Sequence, residues 1–361
     1  MATETHLDLD SALAEAARVL SQADEVALAC HVNPDPDALG SMLGLSLYLR
    51  GRGVRTVCSY GNDPFDQAPW VTALGGADAL VEPRRFPRHP SIMVTLDSAS
   101  ADRLGQLAPI ATRAETLIWI DHHVSNDGLG TIPVIDPSAS STAELVFRLL
   151  KTMGGEIPAD AAACLYAGIV TDTGRFQYEA TSPATLELAA ELRSHPFDHA
   201  RLAQVLFEDN TVGYLRVLAV ALQRLVFDED AGMVWTYITQ ADLADAGLGV
   251  GETDDMIDVV RTAREADVSV VLKQQRDGRF KVSMRSRGGA DLSAAAARFG
   301  GGGHRLAAGY TSGVGVDETI EQLTAALREA RTGGGARGGS SRPGSNDLGS
   351  DGERTPRSGN G

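Results

Sequence analysis

Histidine and aspartate recur at four places in this chain, each directly after an apolar run. His31-Val32-Asn33-Pro34-Asp35-Pro36-Asp37 follows Val26–Cys30, and Asp97 closes Ile92–Leu96. Asp121-His122-His123 closes Leu117–Ile120, and Asp172 follows the apolar stretch ending at Val170. Taken singly, each has a plain structural reading: an Asp after a strand caps a helix or forms a turn, and Asn33-Pro34-Asp35-Pro36 is a turn. Taken together they predict four carboxylates and two or three imidazoles at one sheet edge. Crowded carboxylates repel and would take up protons. Two dications cancel four negative charges and remove the conflict, with neutral imidazoles as further ligands. Oxygen and imidazole donors without thiolate suit Mn²⁺ or a similar first-row ion. Two such ions roughly 3.5–4 Å apart suit phosphoester hydrolysis, because they activate water and stabilise the charge of an in-line displacement. Pro34 and Pro36 predict an extended segment, in which Asp35 and Asp37 project to one side.

The elements that must position these groups alternate. Val26–Cys30, Val54–Ser59, Ile92–Leu96 and Leu117–Ile120 read as buried strands, with helices through Ala38–Arg50, Asp102–Leu107 and Thr142–Met153. This predicts an α/β fold with a parallel sheet flanked by helices, whose ligands gather beyond the carboxyl ends of the strands. Ser182–Arg193 and Val212–Leu225 read as helices leading into a second, smaller α/β region. Its strands are Met233–Ile238, Val268–Lys273 and Phe280–Arg285, with helices near Met256–Arg264, Leu292–Arg298 and Asp317–Arg328. The expected domains are 1–194, a helical linker 195–229, and 230–330. Residues 331–361 are nearly all Gly, Ser, Arg, Asp and Pro, a composition that predicts disorder.

The second region carries an anion-binding pattern. Arg285-Ser286-Arg287 ends a strand and puts two arginines on one face, and Gly300-Gly301-Gly302-Gly303-His304 follows. Glycine amides approach an anion closely, and His304 with the arginines adds charged donors. Overall charge limits the size of that anion. The 361 residues carry 32 Lys and Arg against 48 Asp and Glu, net −16, and the basic tail leaves −18 on the rest. A long polyanion held by a broad basic face is excluded. Three scattered cysteines, an acidic N-terminus and no long apolar run predict a cytoplasmic protein outside the membrane.

Order and spacing over about residues 15–330 resemble the DHH/DHHA1 phosphoesterases, in particular the nanoRNase and pAp phosphatase branch. The resemblance rests on His31-x-Asn-Pro-Asp35-x-Asp37, Asp97-x-Ala99-x-x-Asp102-Arg103, Asp121-His122-His123, Thr171-Asp172-Thr-Gly-x-Phe176 and Gly-Gly-Gly-His304-x-x-Ala-Ala-Gly309. Pro36 stands where the family commonly has Gly. The resemblance implies that His31, Asp35 and Asp97 hold one metal ion, and that Asp37, Asp97, His122 and Asp172 hold the other. It implies that His123 contacts the scissile phosphate and Asp121 orients a histidine, which makes Asp97, Asp121, His122 and His123 the catalytic set. Arg285, Ser286, Arg287, Gly301, Gly302, Gly303 and His304 would join His123 in binding substrate, in a cleft between the domains.

The implied protein is a Mn²⁺-dependent hydrolase with two divalent ions, and a homodimer. It would degrade RNA of about 2–5 nucleotides to mononucleotides and convert pAp to AMP, with pApA and cyclic di-AMP as related substrates. A single-strand exonuclease or a pyrophosphatase of the same superfamily is the enzymatic alternative. A nucleotide-binding sensor without catalysis is the other.

Overall fold

A computed structural model of the chain describes residues 8–126 and 128–333. The expected disordered tail therefore lies outside the described residues from position 334 onward. The chain divides into two compact units, one ending at Asp209 and one beginning at Asn210.

Short, uniformly apolar runs form the interior of a parallel sheet because both of their faces are covered. In the first unit, α1 (Leu9–Ser21) is capped by Asp8, whose carboxylate accepts from Ser11 N at 3.0 Å. It is followed by β1 (Glu25–Cys30), α2 (Pro36–Gly51), β2 (Arg55–Tyr60), β3 (Ile92–Leu96), α3 (Ala108–Ala111), β4 (Thr116–Asp121) and β5 (Ile132–Ile135). The five strands are parallel in the order β2-β1-β3-β4-β5. Strand order reverses between β1 and β3, and such a switch opens a crevice at the carboxyl ends. His31, Asp97 and Asp121 to His123 occupy those ends.

The helices α4 (Thr142–Met153), α5 (Ala159–Asp172), α6 (Pro183–Arg193) and α7 (His199–Phe207) complete this unit. From Asp37 to Ser46, α2 is buried on every side. Its tight packing on α5 depends on glycine. A Cβ on Gly40 would lie 2.3 Å from the Cys164 carbonyl oxygen, and one on Gly168 would lie 2.6 Å from Asp37 Oδ1. This close approach brings the first turn of α2 beside the last turn of α5.

The second unit contains α8 (Val212–Gln223), β6 (Val226–Asp228), β7 (Met233–Ile238), α9 (Gln240–Ala246), α10 (Met256–Val260) and β8 (Val268–Gln274). Then come β9 (Phe280–Ser286), α11 (Leu292–Ala297), β10 (Gly302–His304), β11 (Ala307–Ser312) and α12 (Val316–Gly333). Its six strands run in the order β10-β11-β9-β8-β7-β6, with only the β7–β8 pair parallel. Apolar side chains of α11 and α12 cover one face, and those of α8, α9 and α10 pack on the other.

Several expectations are corrected. Pro36 does not hold its segment extended: it is the first residue of α2, where its missing N–H costs nothing, and Asp35 is the cap before it. Asp37 is therefore helical and does not share a strand face with Asp35. The apolar stretch before Asp172 is helix α5, so this carboxylate ends a helix, unlike the other three clusters. Residues 101–107 form a 3₁₀ turn broken at Gly105, whose φ is +53°. Arg287 lies beyond the end of β9 and so does not continue the Arg285 face. The stretch 195–229 is split between the units, with α7 before the division and α8 after it. α12 extends to Gly333, three residues into the region expected to be disordered.

Candidate metal centre

Each carboxylate and imidazole is held by a local device. His31 follows β1, and its Nδ1 pairs with the Val32 carbonyl at 2.8 Å. This leaves Nε2 facing Asp97 Oδ2 at 3.3 Å and Asp35 Oδ2 at 3.7 Å. Asp35 caps α2 by accepting from Ala38 N through Oδ1 at 3.0 Å, so its other oxygen faces His31. Asp37 is buried, and both of its oxygens accept backbone amides from the start of α4. Thr142 N reaches Oδ2 at 2.8 Å and Ala143 N reaches Oδ1 at 2.9 Å.

Asp97 adopts φ +54°, a left-handed backbone that a non-glycine residue adopts at a cost. The turn places its two oxygens toward different histidines. Oδ2 faces His31, while Oδ1 lies 3.7 Å from both His122 Nε2 and His123 Nδ1. His122 pairs its Nδ1 with the Ala139 carbonyl at 3.3 Å and presents Nε2 to Asp172 Oδ2 at 3.4 Å. Asp121, fully buried, is 2.6 Å from His123 Nδ1 through Oδ1 and accepts from Asn126 Nδ2 at 2.6 Å through Oδ2. A carboxylate so placed sets the ring orientation and tautomer of the histidine.

Among the described residues, three overlapping groups of donor atoms result: His31, Asp35 and Asp97; Asp37, His122 and Asp172; and Asp97, His122 and His123. Within each, the donor atoms lie within 4.8 Å of one another. Asp97 and His122 each belong to two groups. Burial, and then the charge of Asp97, push the carboxyls of Asp37 and Asp172 well above the usual range. Burial opposes the charged form of His31, yet the facing carboxylates of Asp35 and Asp97 raise it to about 10. His123 rises to about 9: burial again opposes, and the Asp121 hydrogen bond outweighs it. Asp97 is held below the usual carboxylate range: its burial is outweighed by the surrounding histidines, His31 foremost. Positive charge placed among these carboxylates would relieve that repulsion. The donors fit divalent cations: oxygens and imidazoles without thiolate, with His31 and His122 each turned by a carbonyl.

The sequence reading missed Thr142, whose hydroxyl donates to Asp97 Oδ1 at 2.9 Å. Its only local signal is the capping pattern Ser141-x-x-Glu144, in which Ser141 Oγ accepts from Glu144 N at 3.1 Å.

The expected anion-binding residues lie in the second unit. Arg285, on β9, donates to the Met284 carbonyl at 3.1 Å, and Arg287 donates to the Arg261 and Thr262 carbonyls at 3.2 and 3.3 Å. Ser286 is buried, and its Oγ accepts from Gly288 N at 3.0 Å. The glycine run is not one open loop. The amides of Gly300 and Gly301 donate to Ala297 and Ala296 carbonyls and close the end of α11. Gly302 to His304 form the edge strand β10, paired with Ala307 to Gly309. A Cβ on Gly301 would lie 2.2 Å from the Gly309 carbonyl oxygen, so packing alone already requires glycine there.

Residues 25–169 match the N-terminal domain of the DHH family, and residues 233–332 match the DHHA1 domain. The chain is 33% identical over 307 residues to the bifunctional oligoribonuclease and PAP phosphatase NrnA of Thermus thermophilus, covering 84% of this chain and 90% of that protein. The NrnA protein of Bacillus subtilis is 29% identical over 299 residues, 82% of this chain and 91% of the relative. The cyclic-di-AMP phosphodiesterase GdpP of Geobacillus thermodenitrificans is 26% identical over 88% of this chain, which spans 49% of that longer protein. An exopolyphosphatase-related protein from Bacteroides fragilis has the same fold, with a TM-score of 0.83 at 24% identity over 92% of this chain and 99% of that one. The chain belongs to the DHH/DHHA1 phosphoesterase family.

Proposed function

We propose that this protein is a divalent-metal-dependent phosphohydrolase that degrades RNA of about 2–5 nucleotides to mononucleotides and removes a phosphate from pAp to leave AMP. The observation that carries the reading is the convergence of His31, Asp35, Asp37, Asp97, His122 and Asp172 in overlapping groups that share Asp97 and His122. The names of the Thermus and Bacillus relatives, bifunctional oligoribonuclease and PAP phosphatase, support both activities. The GdpP likeness supports pApA and cyclic di-AMP as further substrates.

His31, Asp35 and Asp97 would hold one ion, and Asp37, His122, Asp172 and Asp97 the other, with Mn²⁺ as the preferred metal. Bound ions of this kind activate water and stabilise charge on phosphate oxygens. The chain's own residues do the rest. Asp97 divides its two oxygens between the groups, and Asp37 is held rigidly by two amides. His123 has its Nδ1 committed to Asp121, so its Nε2 would be the atom that contacts the scissile phosphate. In the second unit, Arg285, Ser286, Arg287 and the 301–304 segment are the substrate-binding set of this reading. A cytoplasmic homodimer belongs to it as well. Among the described residues no helix is long and apolar enough to cross a membrane.

The test is turnover of pAp and of two- to five-residue RNA, side by side, with Mn²⁺ and with a chelator, and with pyrophosphate and a long single strand as controls. Both short substrates should be hydrolysed only with metal. Preference for pyrophosphate or the long strand would favour the superfamily alternatives. Binding without turnover would favour a sensor.

A further inference from the structure

We infer that Thr142 is a positioning residue that ties the two halves of the metal centre together, so that its hydroxyl sets how well the centre takes up ions. The inference rests on the reading of the clusters as a metal centre. Thr142 is the first residue of α4, after the cap Ser141, and it is completely buried. Through its amide it donates to Asp37 Oδ2 at 2.8 Å, and through its hydroxyl to Asp97 Oδ1 at 2.9 Å. One residue therefore holds two carboxylates that lie 60 positions apart in the chain and belong to different donor groups.

The two bonds have different consequences. The amide bond, together with Ala143 N, uses the unpaired donors at a helix start, where the helix dipole also favours a carboxylate. Any residue at position 142 except proline supplies that amide. The hydroxyl bond is specific to Thr or Ser. Asp97 is a carboxylate whose two oxygens face different partners, so rotation about its terminal torsion would withdraw both at once. That torsion is broad and weakly restrained by itself. The Thr142 hydroxyl fixes it from the Oδ1 side, and His31 faces the Oδ2 side. Nearby, Glu144 accepts from Ser140 N at 3.0 Å and from Ser140 Oγ at 2.6 Å and pairs with Arg148, which anchors the start of α4 itself.

Thr142→Val keeps the amide and the side-chain volume and removes only the hydroxyl; Thr142→Ser restores it. The measurement is Mn²⁺ binding to the metal-free full chain by calorimetry, with stoichiometry checked by elemental analysis after dialysis. Loss of a group that orients metal ligands typically weakens binding about 10–100-fold. The Val variant should show that loss while its far-ultraviolet circular dichroism in chelator matches that of the original chain, and the Ser variant should bind within about threefold of the original chain. If Val does not fold, Thr142→Ala serves in its place and should show the same loss. Unchanged Mn²⁺ affinity in the Val or Ala variant, or equal weakening in the Ser variant, overturns the inference. An original chain that binds no Mn²⁺ overturns both this inference and the metal reading beneath it. An original chain that binds two ions while the Val variant is unaffected overturns only this one.

Discussion

Asp37 in the first unit and Asp254 in the second are both carboxylates pressed against other charged groups. Asp37 is buried near Asp97 and Asp172, and the hydrogen bonds to its oxygens come from amides and the Ser41 hydroxyl, which carry no net charge. Burial and those neighbouring acids drive its carboxyl well above the usual range. Asp254 instead pairs with Lys273, whose side chain is 1% exposed, and accepts from Lys281 Nζ at 3.1 Å. Partial burial alone would raise it, but the two lysines hold it below the usual value. Lys273 is itself lowered by burial despite that partner. The second unit thus answers a buried cation with its own carboxylate. The first gathers carboxylates close to one another, with histidines facing them. A charge cluster completed within the chain stabilises a fold, whereas a cluster left incomplete fits an external cation.

This contrast leads to measurable consequences of decreasing size. Asp97→Ala removes the residue shared by two donor groups; hydrolysis of a dinucleotide should fall roughly 1,000-fold or more while far-ultraviolet circular dichroism stays the same. Substantial residual turnover would separate the cluster from catalysis. Metal should stabilise one unit selectively: Mn²⁺ at about 100 times its dissociation constant adds about 2.7 kcal/mol to the state that binds it. Hydrogen exchange followed peptide by peptide should show the added protection in β1, β3, β4 and α2, with little change in β8 and β9. Equal protection in both units would remove the distinction.

Asp254→Asn should do the reverse. It leaves the Lys273 ammonium without its carboxylate and should destabilise the second unit by about 1–3 kcal/mol, a range reduced because Asp254 is half exposed. Urea unfolding reads that loss, and Mn²⁺ affinity should not change. The smallest effect is an acid transition at Asp242. The Arg224 guanidinium, 2.9 Å from Asp242 Oδ1, holds this carboxyl at about 2 against an ordinary 3.8. A lowered carboxyl contributes stability that is present above about pH 4 and lost as pH falls through 2. The contribution is about 1 kcal/mol after solvent screening. Urea unfolding of the original chain between pH 6 and 2.5 should reveal it, and Asp242→Asn should flatten that part of the profile.

The types of the candidate ligands and their order along the chain were legible from composition and spacing, because few residues can hold a hard cation. The strands β1, β3 and β4 were legible for a similar reason: runs of four or five residues that are apolar except for Thr95 have few other uses. The bounds of α4, Thr142–Met153, also followed from local pattern. Asp37 was singled out as a candidate ligand but placed on the wrong element, because proline at the first turn of a helix and proline in an extended segment look alike locally. β5, β6, β10 and β11 carry too little local pattern to be read, and they form by pairing with strands already in place. Thr142 was invisible for a different reason. Its importance comes from bonds to Asp37 and Asp97, 105 and 45 positions away, and no local pattern records them. Local chemistry therefore singled out the candidate ligands. Long-range packing chose how they are held: the glycine contact between α2 and α5, the left-handed turn at Asp97 and the start of α4 meet only after the chain has closed over its sheet, and each depends on atoms far apart in sequence.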